Sequence, residues 1–201
     1  MKAKYDPDRH HRRSIRLKDY DYSQEGAYFV TICTYQRQCL FGEISNGEMR
    51  LNEIGLVVRK EWPRSADIRR EIHLDAFVIM PNHLHGIVLI VHDVSSSVGA
   101  TGGRPYRGCQ PERHSARPAP GPQKHSLALF IGGFKSACTR SINESLGTRG
   151  IPVWQRGYYD HAIRNDRVLR AIREYIGANP LRWTYDVDNP DFMASKRNPI
   201  L

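Results

Sequence analysis

The sequence predicts a single α/β (α+β) domain built around an antiparallel sheet. Apolar, β-branched segments alternate along the chain with segments of helical periodicity, and an Asn-Gly pair separates two short strands. Two longer apolar strands are separated only by Pro81-Asn82, which predicts antiparallel neighbours. A length of 201 residues suits one domain with a proper core and is too short for two.

The first half of the chain contains most of the predicted strands. They cover residues 27–34, 40–44, Glu48–Leu51, Ile72–Met80 and 83–91. A helix is predicted over residues 51–63, with Asn52 as its cap and Pro63 as its end.

The second half is predicted to hold two helices with an extended segment, residues 153–164, between them. The first helix covers residues 126–146, and its apolar positions recur at three- and four-residue steps. These positions are Leu127, Phe130, Ile131, Phe134, Cys138 and Ile142. The last helix covers residues 167–177, is capped by Asn165 or Asp166, and stops at Asn179-Pro180.

Three segments fall outside this pattern. Residues 1–20 form a basic arm, and the domain of residues 21–185 is interrupted by an insertion at 93–125 that is rich in Ser, Gly, Pro and Arg. Residues 186–201 are predicted to be a polar tail.

Composition and charge narrow the function classes. A formal net charge of +9 favours a polyanionic partner, and nucleic acid is the first candidate, ahead of an anionic membrane surface. No apolar run approaches the roughly 18 residues that span a bilayer, and the basic N-terminus lacks the apolar core of a secretory signal. The four cysteines show no Cys-x-x-Cys spacing, so we expect free thiols in a reducing cytoplasm. The expected location is cytoplasmic and associated with the bacterial nucleoid.

A His-x-His pair begins the strand after Pro81-Asn82. Side chains alternate along a strand, so His83 and His85 point to the same face, with Cα atoms about 6 to 7 Å apart. Two imidazoles at that spacing can share a divalent metal ion, although a lone His-x-His is common and weak by itself. Gly86 follows and is predicted to leave room for a ligand or a close backbone.

The last predicted helix offers a second pair of polar residues. Tyr175 and Asn179 are four residues apart and therefore lie on one helix face, at the border of its apolar stripe. By themselves they are a half-buried aromatic residue and a C-terminal asparagine.

Taken together, these motifs resemble a known family. Pro-Asn-His-Leu-His, then Trp154-Gln155, then Tyr-Ile-Gly-Ala-Asn-Pro from Tyr175 resemble in order the signature of single-tyrosine transposases of the HUH endonuclease superfamily. The REP-associated tyrosine transposase group is the most similar. The resemblance spans residues 20–183 apart from the insertion, which follows the histidine strand directly and is a departure from the pattern.

The resemblance implies a ferredoxin-like core in which Tyr175 is the nucleophile and His83, His85 and Asn179 are metal ligands. It implies Mg²⁺ or Mn²⁺ as the ion and single-stranded or hairpin DNA as the substrate, cleaved through a 5′-phosphotyrosine link. A bound divalent ion polarises a phosphodiester, and a phenolate is both a good nucleophile and an acceptable leaving group. Whether the site forms within one chain or in a homodimer stays open.

Basic residues are the candidates for DNA contacts. They are Arg12, Arg13, Arg16 and Lys18 of the arm, together with Lys135, Arg156 and Arg164.

Several alternatives remain at this level. Tyr158 and Tyr159 are rival nucleophiles, and Asp160 and His161 are either supports of the site or purely structural residues. A DNA-binding protein that no longer cuts, a zinc hydrolase and an RNA-binding module are the competing functions.

Overall fold

The computed structural model describes residues 24–91 and 125–192, which form a four-stranded antiparallel sheet, a separate hairpin and flanking helices. The strands are β1 (Gly26–Cys33), β2 (Gly42–Ser45), β3 (Glu48–Leu51), β4 (Ile72–Met80), β5 (His83–Ile90) and β6 (Tyr159–Ile163). The α-helices of the described ranges are α1 (Glu53–Asp67), α2 (Leu127–Ser145) and α3 (Asp166–Ala178).

The main sheet has the strand order β4-β5-β1-β6, with every neighbouring pair antiparallel. The predicted α+β class with a central antiparallel sheet is therefore confirmed. The turn at Pro81-Asn82 joins β4 to β5 as neighbours, as predicted.

The Asn-Gly hairpin prediction is also confirmed. β2 pairs with β3 in a separate two-stranded sheet, and Asn46 and Gly47 at its turn have φ angles of 56° and 75°. Left-handed backbone at both central positions matches the twist of an antiparallel hairpin, and Asn and Gly adopt it at the lowest cost.

Helix α1 differs from its prediction at the C-terminal end. Asn52 caps it as expected, its side chain accepting a hydrogen bond of 2.9 Å from Gly55 N. Pro63 does not end the helix, which continues to Asp67. Proline removes one backbone donor, but Trp62 and Ala66 on either side of it are buried in the core, and that burial favours continuation.

The main core lies between one face of the sheet and helices α1 and α2. All six predicted inward positions of α2 are buried there, and Ser126 caps the helix. Gly86 belongs to this face: a Cβ atom on it would lie 2.7 Å from Cζ2 of the buried Trp62. The glycine therefore admits an indole ring, not the ligand that the sequence suggested.

Helix α3 covers the opposite face with a much smaller cluster. Phe29, Ile87 and Ile176 are its buried members. Asn165 caps α3, accepting a hydrogen bond of 2.9 Å from Val168 N. A 3-10 helix, Pro180–Tyr185, follows α3 directly, where the sequence predicted no regular structure.

Several predictions lie outside the described residues. These are the arm of residues 1–20, nearly all of the 93–125 insertion, and the tail beyond residue 192. Within the described ranges, no helix is long and apolar enough to cross a membrane.

Candidate functional site

The two histidines of β5 lie on the sheet face that α3 covers. Their register partners in β1 are Cys33 for His83 and Thr31 for His85. The imidazoles are 0% and 4% exposed, and their ring centroids are 4.4 Å apart. The alternation of β5 therefore brings both rings together under α3, as the motif predicted.

Each imidazole is held at its Nδ1 atom by a neighbouring side chain. His83 Nδ1 lies 2.9 Å from Asn82 Oδ1, and His85 Nδ1 lies 2.9 Å from Thr31 Oγ1. An amide oxygen only accepts, so His83 Nδ1 carries the proton and its Nε2 carries the lone pair. Anchoring of this kind fixes the orientation of a ligating histidine.

Helix α3 brings the tyrosine to the histidines. The Tyr175 hydroxyl lies 3.3 Å from His85 Nε2, and the ring centroids of the two residues are 5.3 Å apart. Phe29 supports the phenol in an edge-to-face contact with centroids 6.1 Å apart. Asn179, one turn later, is 1% exposed, and its amide hydrogen-bonds the Tyr175 side chain.

Burial keeps these groups uncharged. It lowers the pKa of His85 to about 4 and is the main cause that lowers the pKa of His83 well below its usual value, with a smaller contribution from the nearby Arg37 charge. Burial also raises the pKa of Tyr175, and the hydrogen bond from Asn179 opposes that shift. At neutral pH the site thus presents two neutral imidazoles and a protonated phenol.

The buried polar atoms fit a divalent ion. His83 Nε2 and Asn179 Oδ1 are both buried and make no hydrogen bond within the described residues. Such orphaned acceptors are costly unless a ligand satisfies them. Two imidazole nitrogens and an amide oxygen are all neutral donors, so a bound ion would keep its full charge for an anion.

No cluster of three His, Cys, Asp or Glu side chains suited to a metal ion occurs within residues 24–91 and 125–192. Any third donor to an ion beside the two imidazoles would accordingly be the Asn179 amide oxygen and not a carboxylate.

Two supporting residues were missed by sequence reasoning. Asn82 was interpreted as a turn residue and as part of the Pro-Asn-His-Leu-His motif, but it was given no role at the site; besides contacting His83, its Nδ2 donates to the carbonyl oxygens of Arg37 and Asp188, at 3.0 and 2.6 Å. It thereby joins the segment after α3 to the histidine strand. Thr31 could have been found only from the pairing of β1 with β5, which the sequence does not state.

The segment after Asn179 borders the histidines. The Trp183 ring lies 6.1 Å from that of His83, and Asp186 is close enough to raise the pKa of Tyr175. Burial in turn raises the pKa of Asp186 itself. No sequence signal pointed to either residue.

The rival residues at the start of β6 and just before it lie on different faces of the sheet. Tyr158 packs against the main core, on the side away from the histidines. Tyr159 lies on the α3 face, and its ring contacts Phe29 with centroids 6.4 Å apart. His161 is exposed and Asp160 is buried beside Val30, its pairing partner in β1.

The predicted DNA-contacting residues are scattered. Lys135 donates a hydrogen bond of 2.9 Å to the Gln155 carbonyl and another to that of Gly157, and burial lowers its pKa to about 8. Arg156 and Arg164 are exposed. Arg12, Arg13, Arg16 and Lys18 lie outside the described residues.

The fold resembles that of a solved transposase. No family model matches the chain. A REP-associated tyrosine transposase bound to a REP hairpin superposes with a TM-score of 0.51 at 18% identity, covering 84% of this chain and 74% of that one. A putative transposase of Deinococcus radiodurans gives a TM-score of 0.42 at 16% identity, covering 81% of this chain and 95% of that one. The first of these structures supports a transposase-like fold for the chain.

A sequence relative covers nearly the whole chain. An uncharacterized protein of Haemophilus influenzae (strain ATCC 51907 / DSM 11121 / KW20 / Rd) is 38% identical over 186 residues, which are 92% of this chain and 97% of that protein. Identity at this level over almost the full length of both proteins shows common descent. The chain therefore belongs to the same protein family as this Haemophilus influenzae protein.

Proposed function

We propose that the chain is a metal-dependent transposase of the single-tyrosine HUH type, in the REP-associated group, which cleaves and rejoins single-stranded DNA. The observation that carries the proposal is the convergence of the Tyr175 hydroxyl with His85 Nε2 at 3.3 Å, beside His83 Nε2 and Asn179 Oδ1, which have no hydrogen-bond partner in the described part of the chain. A transposase-like fold agrees with it.

In this proposal Tyr175 is the nucleophile. Its hydroxyl oxygen attacks a backbone phosphorus, forming a phosphotyrosine bond to the 5′ side and breaking the bond to the 3′ oxygen. The phenolic proton passes to water, and the departing oxygen takes up a proton to become a 3′ hydroxyl. The covalent link conserves the phosphodiester energy, so the reverse reaction can join a new 3′ end.

The residues around Tyr175 orient its phenol ring and would hold the metal ion. Phe29 fixes the phenol ring from one side, and the Asn179 amide hydrogen bond stabilises the phenolate. His83, His85 and Asn179 would hold Mg²⁺ or Mn²⁺, which supplies charge to polarise the scissile phosphate. Asn82 and Thr31 keep the two imidazoles in place.

The substrate is proposed to be DNA with an unpaired strand, as in a hairpin flanked by single-stranded DNA. A net charge of +9 favours the phosphate backbone. Exposed tyrosines next to the site, Tyr159 and Tyr175 themselves, favour unpaired bases that can stack.

A covalent-adduct assay tests this function. Protein is incubated with labelled hairpin DNA carrying single-stranded flanks and with Mn²⁺, and the products are separated on a denaturing gel. We expect a protein–DNA adduct that disappears in Tyr175→Phe and in His83→Ala. Tyr158→Phe, altered on the opposite face of the sheet, is the matched control and keeps the adduct.

DNA affinity separates the outcomes. Tyr175→Phe loses one oxygen, so its affinity for DNA stays close to that of the wild-type protein. An adduct that persists in Tyr175→Phe refutes the nucleophile assignment. Wild-type protein that binds DNA but forms no adduct with Mn²⁺ or Mg²⁺ would instead be a DNA-binding protein without cleavage activity.

A further inference from the structure

A basic cleft lies on the far side of β6 from α3. It has a volume of about 580 Å³ and runs between α2 and the chain from Gly150 to Gly157. Three cationic residues, Lys135, Arg140 and Arg156, line it, and no acidic residue among those that the structure describes does. Its remaining polar lining consists of Ser136, Thr139, Asn143 and Gln155.

The cationic residues of this cleft differ in whether they are free to bind a ligand. Lys135 is committed to the Gln155 and Gly157 carbonyls, and it holds the chain at the bend before β6. Arg140 and Arg156 are exposed, and neither forms an ion pair within the described ranges. Two free guanidinium groups above a polar floor suit the successive phosphates of a nucleic acid strand.

The cleft is connected to the candidate site around the edge of the sheet. Gln155 N donates to the Cys33 carbonyl at 2.9 Å, and Cys33 pairs with His83 in the next strand. The chain then turns at Gly157, with φ 90°, and enters β6 at Tyr159. The cleft and the histidines therefore lie at the same end of the sheet.

Tyr159 follows the last cleft residue, Gly157, by two positions, and it shares the neighbour Phe29 with Tyr175 of the candidate site. Its side chain is 38% exposed on the α3 face. The Phe29 ring contacts both Tyr159 and Tyr175, at centroid distances of 6.4 and 6.1 Å. One buried aromatic residue thus supports two exposed ones, which gives a rigid surface on which a base can stack.

We propose that Tyr159 and this cleft bind the unpaired DNA strand that flanks the phosphate attacked by Tyr175. One base stacks on Tyr159, and the strand then turns around the β6 edge so that its phosphates meet Arg156 and Arg140. A duplex, with a persistence length of about 150 base pairs, is too stiff for that turn, whereas a single strand is flexible. The inference rests on the proposed function for the identity of the strand.

Binding can be measured without catalysis. Fluorescence anisotropy with a labelled single-stranded oligonucleotide in EDTA reports affinity in the absence of any cleavage. The test variant is Arg140→Ala/Arg156→Ala. The matched control is Arg59→Ala/Lys60→Ala, which removes the same charge from the exposed face of α1.

Counterion release sets the size of the effect. Each phosphate contact to a single strand contributes about 0.7 to the slope of log K against log salt concentration, or about fivefold in affinity at roughly 0.1 M salt. We expect the cleft variant to bind about 25-fold more weakly and its slope to be smaller by about 1.4. We expect Tyr159→Ala to lose roughly 5- to 150-fold through lost stacking, and Tyr159→Phe to restore the affinity.

The outcomes distinguish the cleft from the catalytic proposal. Equal losses in the cleft variant and the α1 control, or an unchanged salt slope, would overturn the cleft. If the wild-type protein and the variants show the expected binding pattern but no Mn²⁺-dependent adduct forms, the role of the cleft is supported and the proposed function is refuted.

Discussion

The hydroxyl of Thr31 gives a direct way to test whether His85 is built to hold a metal ion. Thr31 Oγ1 lies 2.9 Å from His85 Nδ1, and both residues are buried at the centre of the sheet. Thr31→Val keeps the branched shape that suits a strand and deletes only the hydrogen-bonding group. Thr31→Ser keeps the hydroxyl and deletes the methyl group, so it is the matched control.

Two magnitudes follow from this contact. Removing the partner of a buried polar atom costs about 1 to 3 kcal/mol, so the free energy of unfolding of Thr31→Val should fall by that amount. Loss of an outer hydrogen bond to a ligating histidine lowers metal affinity by about 10- to 100-fold. Mn²⁺ binding should weaken by that factor in Thr31→Val, while Thr31→Ser should stay close to the wild-type protein.

The assay is a Mn²⁺ titration followed by the electron paramagnetic resonance signal of the free ion. It is performed on protein shown to be folded by circular dichroism and needs no DNA. Equal Mn²⁺ affinity in Thr31→Val and the wild-type protein would refute the role of Thr31. An equal loss in Thr31→Ser would show that packing, and not the hydroxyl, is responsible.

Two further predictions concern the elements around the site. Gly86→Ala should lower the free energy of unfolding by about 1 to 3 kcal/mol, because the new Cβ atom would lie 2.7 Å from the buried Trp62 ring; urea unfolding with an unchanged midpoint would contradict this. The Arg173 guanidinium holds the pKa of Asp75 below its usual value, so their ion pair stabilises the fold at neutral pH and is lost as the pH falls through that lowered pKa. Asp75→Asn should therefore have a lower melting temperature than the wild-type protein at pH 7, and this difference should begin to shrink as the pH falls below about 4. A difference in melting temperature that is independent of pH would contradict the assignment.

Local patterns in the sequence were enough to predict most of the secondary structure. The period of two in β5 placed His83 and His85 on one face, and the four-residue spacing placed Tyr175 beside Asn179. These relations depend only on the geometry of a single strand or helix. The resemblance to a known family added what local geometry lacks, namely that the two pairs meet.

Features that depend on contacts between distant segments were mispredicted or missed. Gly86 faces Trp62 because of the way α1 crosses the sheet, and nothing near Gly86 in the sequence encodes that crossing. The Lys135 side chain meets two carbonyl groups of a segment 20 residues away, so its charge was assigned only to phosphate. Pro63 was expected to end α1, but burial of its neighbours outweighed the intrinsic preference of proline.

One face of the sheet packs the main core, which stabilises the fold, and the other face carries the candidate site. The face under α1 and α2 carries the large core, whereas the buried apolar cluster under α3 is much smaller among the described residues, and the polar groups of the site lie beside it. A buried polar group such as His83 Nε2 or Asn179 Oδ1 lowers stability unless it is satisfied, so the larger core must offset that cost. Because α3 contributes little to the core, substitutions at Tyr175 should alter reactivity with little effect on folding, and ligand binding to the orphaned atoms should raise the melting temperature.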